Sequence, residues 1–189
     1  HVDSGVEALV MNASGCGVMV KDYGHLFKDE PAYAAKAARI SELTRDLSEL
    51  LPDLVPQLKK LIRPEKVAGQ SESQQLTFHP PCTLQHGQQL RGGVEKHLGA
   101  LGFKVNVARC EAHLCCGSAG TYSVLKPEIA YALRDRKLEN LSEMKPDTIV
   151  SANIGCITHL QSGTATPVRH WVEVLDAALA GRDVKVDAK

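Results

Sequence analysis

The stretch DTIVSANIGC, residues Asp147–Cys156, decides the fold of this chain because it joins a buried strand to a helix through a Gly-Cys turn. Its first half is rich in β-branched and apolar residues, which favours a strand, and Ile157–Leu160 continue as a helix. A similar stretch, EALVMNASGC, occupies Glu7–Cys16. The two stretches align without gaps and superimpose their Gly-Cys pairs. This match indicates a duplicated unit that places a cysteine at the carboxyl end of a strand.

Strands and helices alternate along the rest of the chain. Further strands are predicted at Leu76–His79, Phe103–Val107 and Pro167–His170. Helices are predicted over Pro31–Leu51, Leu54–Ile62, Gln85–Leu101, Glu128–Leu141 and Trp171–Ala180. This order predicts an α/β fold with a mainly parallel sheet and flanking helices.

The polar segment 66–75 is the predicted boundary between two units, because it is rich in glutamine and serine and lacks an apolar period. We expect residues 1–65 to form the end of a first repeat with its connecting helices. Residues 76–189 are expected to form a second, complete repeat. Because His1 is not methionine, we also expect a fragment or a processed chain.

Four of the six cysteines predict one metal site. The vicinal pair Cys115-Cys116 precedes Gly117, and Cys82 and Cys156 follow other predicted strands. The carboxyl ends of parallel strands meet at one edge of a sheet, and nearby helix N-termini lower thiol pKa values and favour thiolate ligands.

The residues leave other interpretations of these cysteines open. The pair could be two small buried apolar side chains, or it could perform thiol-disulfide chemistry. A structural disulfide between neighbouring cysteines is disfavoured by its strained geometry. Cys16 is either an additional ligand from the first repeat or a free thiol at a helix start, and Cys110 is either a ligand or a buried thiol.

Composition excludes several functional classes. The 22 basic and 22 acidic residues cancel, so charge favours neither nucleic acid nor an anionic membrane. No apolar run is long enough to span a bilayer, so we expect membrane association only through a partner. The sequence also has no Gly-rich phosphate loop and no Ser-His-Asp set, so no catalytic residue is predicted.

Three strings carry a resemblance to a known family. They are HPPCTLQH (residues 79–86), HLCCGSAGTY (residues 113–122) and NIGC (residues 153–156). They resemble the cysteine-rich CCG domains of heterodisulfide reductases and of the iron-sulfur subunits of flavin-linked 2-hydroxy acid dehydrogenases. Within this family they look most similar to glycolate oxidase iron-sulfur subunits. The resemblance implies that the chain contains one complete CCG repeat and the end of a preceding CCG repeat.

The resemblance implies an electron-transfer subunit without a substrate-oxidising site of its own. Its cofactor would be an iron-sulfur cluster, expected as 4Fe-4S, on Cys82, Cys115, Cys116 and Cys156. Its expected partners are a flavin-containing 2-hydroxy acid dehydrogenase subunit, which oxidises glycolate to glyoxylate, and a further complex subunit. The expected location is cytoplasmic and peripheral, at the inner face of the bacterial cytoplasmic membrane.

Two questions about the site stay open: whether His159 is a ligand, and whether the bound group is a cluster or a zinc ion. Where the family motif ends in CxxC, this chain has His159 in place of the last cysteine, and an imidazole could replace that thiolate. His79 and His86, on either side of Cys82, are expected to be hydrogen-bond partners of the site rather than ligands. Four thiolates would also satisfy a structural zinc ion, which would make the chain a partner-docking module without a redox role.

Overall fold

The computed structural model describes residues 1–62 and 74–182. Its strands, in chain order, are β1 (Leu9–Met11), β2 (Thr44–Asp46), β3 (Gln75–His79), β4 (Lys104–Val107), β5 (Thr148–Ser151) and β6 (Val168–His170). The α-helices are α1 (Ser14–Lys21), α2 (Tyr23–Leu26), α3 (Ala34–Leu43), α4 (Leu51–Leu61), α5 (Gly93–Ala100), α6 (Tyr122–Leu125), α7 (Pro127–Ser142), α8 (Ile154–Gln161) and α9 (Trp171–Ala180). Short 3-10 segments occupy Val2–Ser4 and Leu47–Leu50, and a π-helical turn occupies Thr83–Gly87.

The predicted α/β class and parallel sheet are confirmed. Four parallel strands lie in the order β4-β3-β5-β6, so β3 and β5 occupy the centre. Both central strands are almost entirely buried, as expected for a parallel sheet covered on both faces. The carboxyl ends of three of these strands lead into the cysteine-bearing segments.

The pleat of the sheet separates two groups of buried side chains. Phe78 and Val150 face a large core that includes Trp171. Ile149 faces the opposite side, where it packs in a smaller core with Cys116 and Cys156. Because successive strand residues alternate in direction, the last residue of β3 projects toward the face that carries the cysteines.

A smaller parallel sheet repeats part of this architecture. β1 pairs with β2 in parallel and leads into α1, as β5 pairs with β6 and leads into α8. The second strand of each pair ends at a residue that caps the following helix, Asp46 in one case and His170 in the other. Each cap is completed three residues later by a glutamate, Glu49 or Glu173. This shared geometry is what a duplication predicts.

Two of the predicted helices are wrong in extent. The helix predicted over Pro31–Leu51 ends at Leu43, because Thr44 takes an extended conformation and starts β2. The helix predicted over Gln85–Leu101 is split into the π-helical turn and α5, because Gln89 and Gly92 adopt left-handed backbone conformations with φ of 58° and 72°. The predicted linker 66–75 lies mostly outside the described residues, so the boundaries between the two units stay a prediction.

Candidate metal centre

Cys82 is placed by the end of strand β3. After His79 the chain passes through Pro80 and Pro81, which lack backbone N–H donors and end the strand. Cys82 then has helical backbone angles and opens the π-helical turn. The thiol therefore lies at the carboxyl edge of the sheet, next to the start of a helical turn.

The vicinal cysteines lie in the long loop after β4, and Gly117 fixes the path of that loop. Gly117 has a φ of 93°, and a Cβ at this position would lie 2.2 Å from the carbonyl oxygen of Ala130 on α7. No residue with a side chain fits there without movement of the helix backbone. The N–H of Gly117 also donates to the sulfur of Cys115 at 3.3 Å. The glycine thus allows close packing and supplies a donor to the site.

Cys156 lies in the first turn of α8, which follows β5 after a two-residue turn. Asn153 precedes this helix in an extended conformation, and its Nδ2 donates to the sulfur of Cys156 at 3.6 Å. The unpaired N–H groups of a first helical turn favour negative charge. Cys156 is therefore held where a thiolate is stabilised.

The side chains of Cys82, Cys115, Cys116 and Cys156, hereafter the cysteine site, form an unbroken run of interacting sulfurs. Cys82 and Cys115 shift each other's pKa, as do Cys115 and Cys116, and Cys116 and Cys156. The three separate segments of chain therefore deliver their thiols to one place.

The pKa values within the cysteine site alternate in direction. Interaction with Cys116 and Cys82 holds the pKa of Cys115 far below its ordinary value, and interaction with Cys116, whose single proton is shared between the two neighbours, does the same for Cys156. Cys82 and Cys116 have raised pKa values because they keep their protons next to these sulfurs. Four ionised sulfurs in contact would repel one another, whereas a bound metal would allow all four to ionise.

Burial is unequal across the cysteine site. The exposed fraction is only 1% for Cys116 and 6% for Cys156, while Cys82 and Cys115 are partly exposed. One side of the site is thus shielded from water by the smaller core, and the other side approaches the protein surface.

A buried lysine of α7 anchors the loop that carries the vicinal pair. Lys137 is 0% exposed, and its Nζ donates to the carbonyl oxygens of Glu111 at 2.5 Å and Ala112 at 3.4 Å. Burial lowers the pKa of Lys137, and the nearby sulfurs of the cysteine site oppose that shift. Arg136 adds an ion pair to the carboxylate of Glu111. The ammonium group of Lys137 therefore lies near the sulfurs of the cysteine site.

Hydrogen bonds also tie the Cys82 turn to the loop of the vicinal pair. The side chain of Gln85 donates to the carbonyl oxygen of Pro80 at 3.0 Å and to that of Ala112 at 3.3 Å. His86 contacts the carbonyl oxygen of His113 at 3.2 Å. The two cysteine-bearing segments are therefore held in register independently of their sulfurs.

His79 completes the group of donor atoms at this edge of the sheet. A ring nitrogen of His79 and the sulfurs of Cys116 and Cys156 all lie within 4.8 Å of one another. His79 is 0% exposed, and its ring nitrogens have no nitrogen or oxygen partner among residues 1–62 and 74–182. The ring does interact with the sulfur of Cys156 and lowers the pKa of that cysteine, in keeping with the sequence interpretation of His79 as a hydrogen-bond partner of the site.

The other sequence-predicted residues considered as ligands, His159, Cys110 and Cys16, are not among the donor atoms that lie within 4.8 Å of one another. His159 is stacked on Tyr131, with a ring centroid distance of 5.8 Å, and its Nε2 lies 3.2 Å from the carbonyl oxygen of Ala130. Cys110 and Cys16 are both exposed free thiols.

Helix α1, which carries Cys16, packs directly beside the cysteine site. Its first residue, Ser14, is fully buried, and the Ser14 hydroxyl is 2.8 Å from the hydroxyl of Thr83, the residue after Cys82. Gln88 donates from the same turn to the carbonyl oxygen of Ser14 at 3.0 Å. The N-terminal segment of the chain therefore packs against the turn that carries Cys82.

The sequence pattern of the CCG family, described as a cysteine-rich domain, matches residues 76–161 and thus contains the whole cysteine site. Lactate utilization protein A of Geobacillus thermodenitrificans is 30% identical over 177 residues, which cover 89% of this chain and 69% of that protein. The chain belongs to the CCG cysteine-rich domain family.

Two further relatives extend this comparison. The glycolate oxidase iron-sulfur subunit of Escherichia coli is 49% identical over 178 residues, which cover 94% of this chain. The chain spans only 41% of the length of that relative. A third relative, lactate utilization protein A of Geobacillus kaustophilus, is 30% identical over 89% of this chain and 70% of its own length.

Within residues 1–62 and 74–182, none of the helices combines the length and apolar character needed to cross a membrane.

Proposed function

We propose that this chain is the cysteine-rich part of an iron-sulfur subunit that carries electrons in a 2-hydroxy acid oxidase or dehydrogenase complex. The name of the Escherichia coli relative, at 49% identity, supports glycolate as the acid. The lactate utilization proteins support the broader class of 2-hydroxy acids. The observation that carries the proposal is the unbroken run of interactions among the four sulfurs of the cysteine site.

The donor set fits an iron-sulfur cluster, proposed as 4Fe-4S. Thiolates are the usual protein ligands of such clusters, and four of them suit one cluster. When bound, the cluster would supply one-electron redox chemistry. Cys82, Cys115, Cys116 and Cys156 would hold it, and the N–H of Gly117 would donate to one of these sulfurs. Hydrogen bonds to the sulfurs and burial are the features that tune such a centre.

The unequal burial of the cysteine site supports a role in electron transfer rather than in substrate binding. Cys116 and Cys156 form the buried side of the site. Cys82 and Cys115 are partly exposed, so the other side lies close to a surface where a partner can dock. A flavin-containing partner subunit would remove two electrons from glycolate to give glyoxylate. This chain would receive them one at a time, so a catalytic residue for the oxidation is not assigned to it. The complex would attach it to the inner face of the cytoplasmic membrane, together with a further subunit.

The decisive experiment is a metal and sulfide analysis of the full chain purified without oxygen. We expect about four iron and about four acid-labile sulfide per chain, as a 4Fe-4S cluster requires. Cys116→Ser should lose both. Cys110→Ser is the matched control, since Cys110 is an exposed free thiol outside the site, and it should keep both.

Zinc content separates this proposal from a structural role. About one zinc per chain with no sulfide would contradict the electron-transfer function and would indicate a closed tetrahedral zinc site. Unchanged metal content in Cys116→Ser would contradict any metal role for the cysteine site.

A further inference from the structure

His79 stands out because its imidazole is fully buried and the polar groups it faces are sulfurs of the cysteine site. Neither ring nitrogen forms a hydrogen bond to a nitrogen or oxygen atom within the described parts of the chain. Native proteins rarely keep a buried imidazole without such a partner unless an ion, a water molecule or a ligand satisfies it.

The surroundings of His79 identify what satisfies the ring. One of its nitrogens and the sulfurs of Cys116 and Cys156 lie within 4.8 Å of one another. Ligands of one tetrahedral metal atom, at bond lengths of about 2.0–2.3 Å, are separated by roughly 3.3–3.8 Å. The three donor atoms are therefore close enough to converge on a single metal atom after small side-chain movements.

The strand holds His79 in this position. As the last residue of β3, it lies on the face of the sheet opposite to Phe78 and next to Ser151, with which it pairs in register. The Ser151 hydroxyl donates to the carbonyl oxygen of His79 at 3.0 Å, which fixes the backbone of the histidine. Rigid placement on a central strand suits a ligand better than a flexible loop does.

We infer that His79 is a direct metal ligand and that its imidazole nitrogen binds the group held by the cysteine site, at the side of that group bound by Cys116 and Cys156. This inference rests on the proposed function for the identity of that group. It adds an imidazole nitrogen to the four thiolates. The ring must be neutral to bind, and the lone pair of one ring nitrogen forms the bond while the other nitrogen keeps its proton.

Two other histidines provide matched controls. His159 already contacts the carbonyl oxygen of Ala130 and stacks on Tyr131, and His86 contacts the carbonyl oxygen of His113. Each has a partner within the protein, so their nitrogens are not expected to bind the metal.

The first test measures nitrogen coupling in the wild-type chain, so it does not depend on the folding of a variant. The full chain is labelled with ¹⁵N-histidine, purified without oxygen, brought to a paramagnetic state and studied by pulsed electron paramagnetic resonance. We expect the strong hyperfine coupling of a directly bound nitrogen. It should disappear in His79→Cys and persist in His86→Ala and His159→Ala. A weak coupling only, or a strong coupling retained in His79→Cys, would overturn the inference.

Metal affinity and folding separate ligation from packing. His79→Ala should lower metal affinity at least about tenfold, since even the loss of an outer partner of a ligand has that effect. His79→Cys should restore most of this affinity because it returns a donor atom. Unfolding of the metal-free forms by urea tests whether His79→Ala acts through the fold. If the His79→Ala variant binds the metal as tightly as the wild-type chain does, His79 is not a ligand.

The same chain distinguishes failure of this inference from failure of the proposed function. An iron-sulfur cluster without bound nitrogen would contradict His79 ligation alone. If the wild-type chain holds zinc instead of iron, the electron-transfer proposal fails. X-ray absorption at the zinc edge then decides the ligand. A nitrogen at about 2.0–2.1 Å would support His79, and an all-sulfur shell at about 2.3 Å would overturn it.

Discussion

The side chain of Asn153 connects Cys156 to helix α1. Its Nδ2 donates to the sulfur of Cys156 at 3.6 Å, and its Oδ1 accepts from the backbone N–H of Gly15 at 3.1 Å. The neighbouring N–H of Ser14 donates to the carbonyl oxygen of Ala152 at 3.0 Å. Helix α1 therefore reaches the cysteine site through one asparagine, and a contact between segments distant in sequence can affect a thiolate.

Asn153→Ala should weaken both connections. The hydrogen bond from Asn153 contributes to the low pKa of Cys156, after the larger effects of Cys116 and His79, so this pKa should rise. The loss of two hydrogen bonds at a partly buried contact should lower the free energy of unfolding by about 1–2 kcal/mol. Urea unfolding measures this change. Asn106→Ala, which removes only an exposed hydrogen bond to Gln75, is the control and should have little effect.

Gly117→Ala should disrupt the loop of the vicinal cysteines. An added Cβ would meet the backbone of Ala130 at 2.2 Å, and the φ of 93° disfavours any side chain. We expect a loss of about 2–4 kcal/mol in unfolding free energy, together with reduced metal content.

Gly120→Ala isolates the steric part of that effect. Gly120 also has a positive φ, 60°, but nothing lies within 4 Å of its added Cβ. Only the backbone cost of about 1–2 kcal/mol should remain, with metal content unchanged. Equal losses for the two glycine variants, measured by urea unfolding, would show that close packing on α7 is unimportant.

Alkylation of the metal-free, reduced chain should depend on pH differently at two matched thiols. Cys115 and Cys82 are both partly exposed, but the pKa of Cys115 is lowered and that of Cys82 is raised. A lowered pKa keeps the reactive thiolate populated as the pH falls, so the rate at Cys115 should change less than about twofold between about pH 8 and about pH 6. An ordinary thiol loses nearly tenfold per pH unit below its pKa.

Mass spectrometry of iodoacetamide-treated chains follows both thiols at once. Cys82 should remain almost unmodified over the same range, because its proton is retained in the hydrogen bond to Cys115. A parallel pH dependence of the two rates would contradict the alternating ionisation of the cysteine site.

The sequence predicts the regular parts of this fold well because local signals agree with the packing. Helix Trp171–Ala180 was predicted with its observed ends, since a glutamate in its first turn and Gly181 after its end mark both boundaries. The prediction failed at Thr44–Asp46. Apolar residues continue there at helical spacing, and only pairing with β1, distant in sequence, turns the segment into a strand.

The sequence predicts only those parts of the site whose residue types indicate their role. Cysteines in a recognisable pattern indicate thiolate ligands, whereas a lysine within a polar helix such as α7 ordinarily indicates a solvated side chain. Nothing in the sequence shows that Lys137 is fully buried, since the loop around Glu111 that covers it is placed by tertiary contacts. The contact between Asn153 and Gly15 likewise depends on how two segments that are distant in sequence pack together.

Lys137→Met tests whether this buried ammonium group adjusts the electron affinity of the centre. Methionine keeps much of the volume but removes a positive charge near Cys82 and Cys116. An added electron would then be less stabilised, so the reduction potential should fall by on the order of tens of millivolts. Potentiometric titration of the iron-loaded chain measures the shift, and Lys59→Met, on the exposed face of α4, should leave the potential unchanged. An unchanged potential in Lys137→Met with full iron content would mean that Lys137 only holds the loop at Glu111 and Ala112.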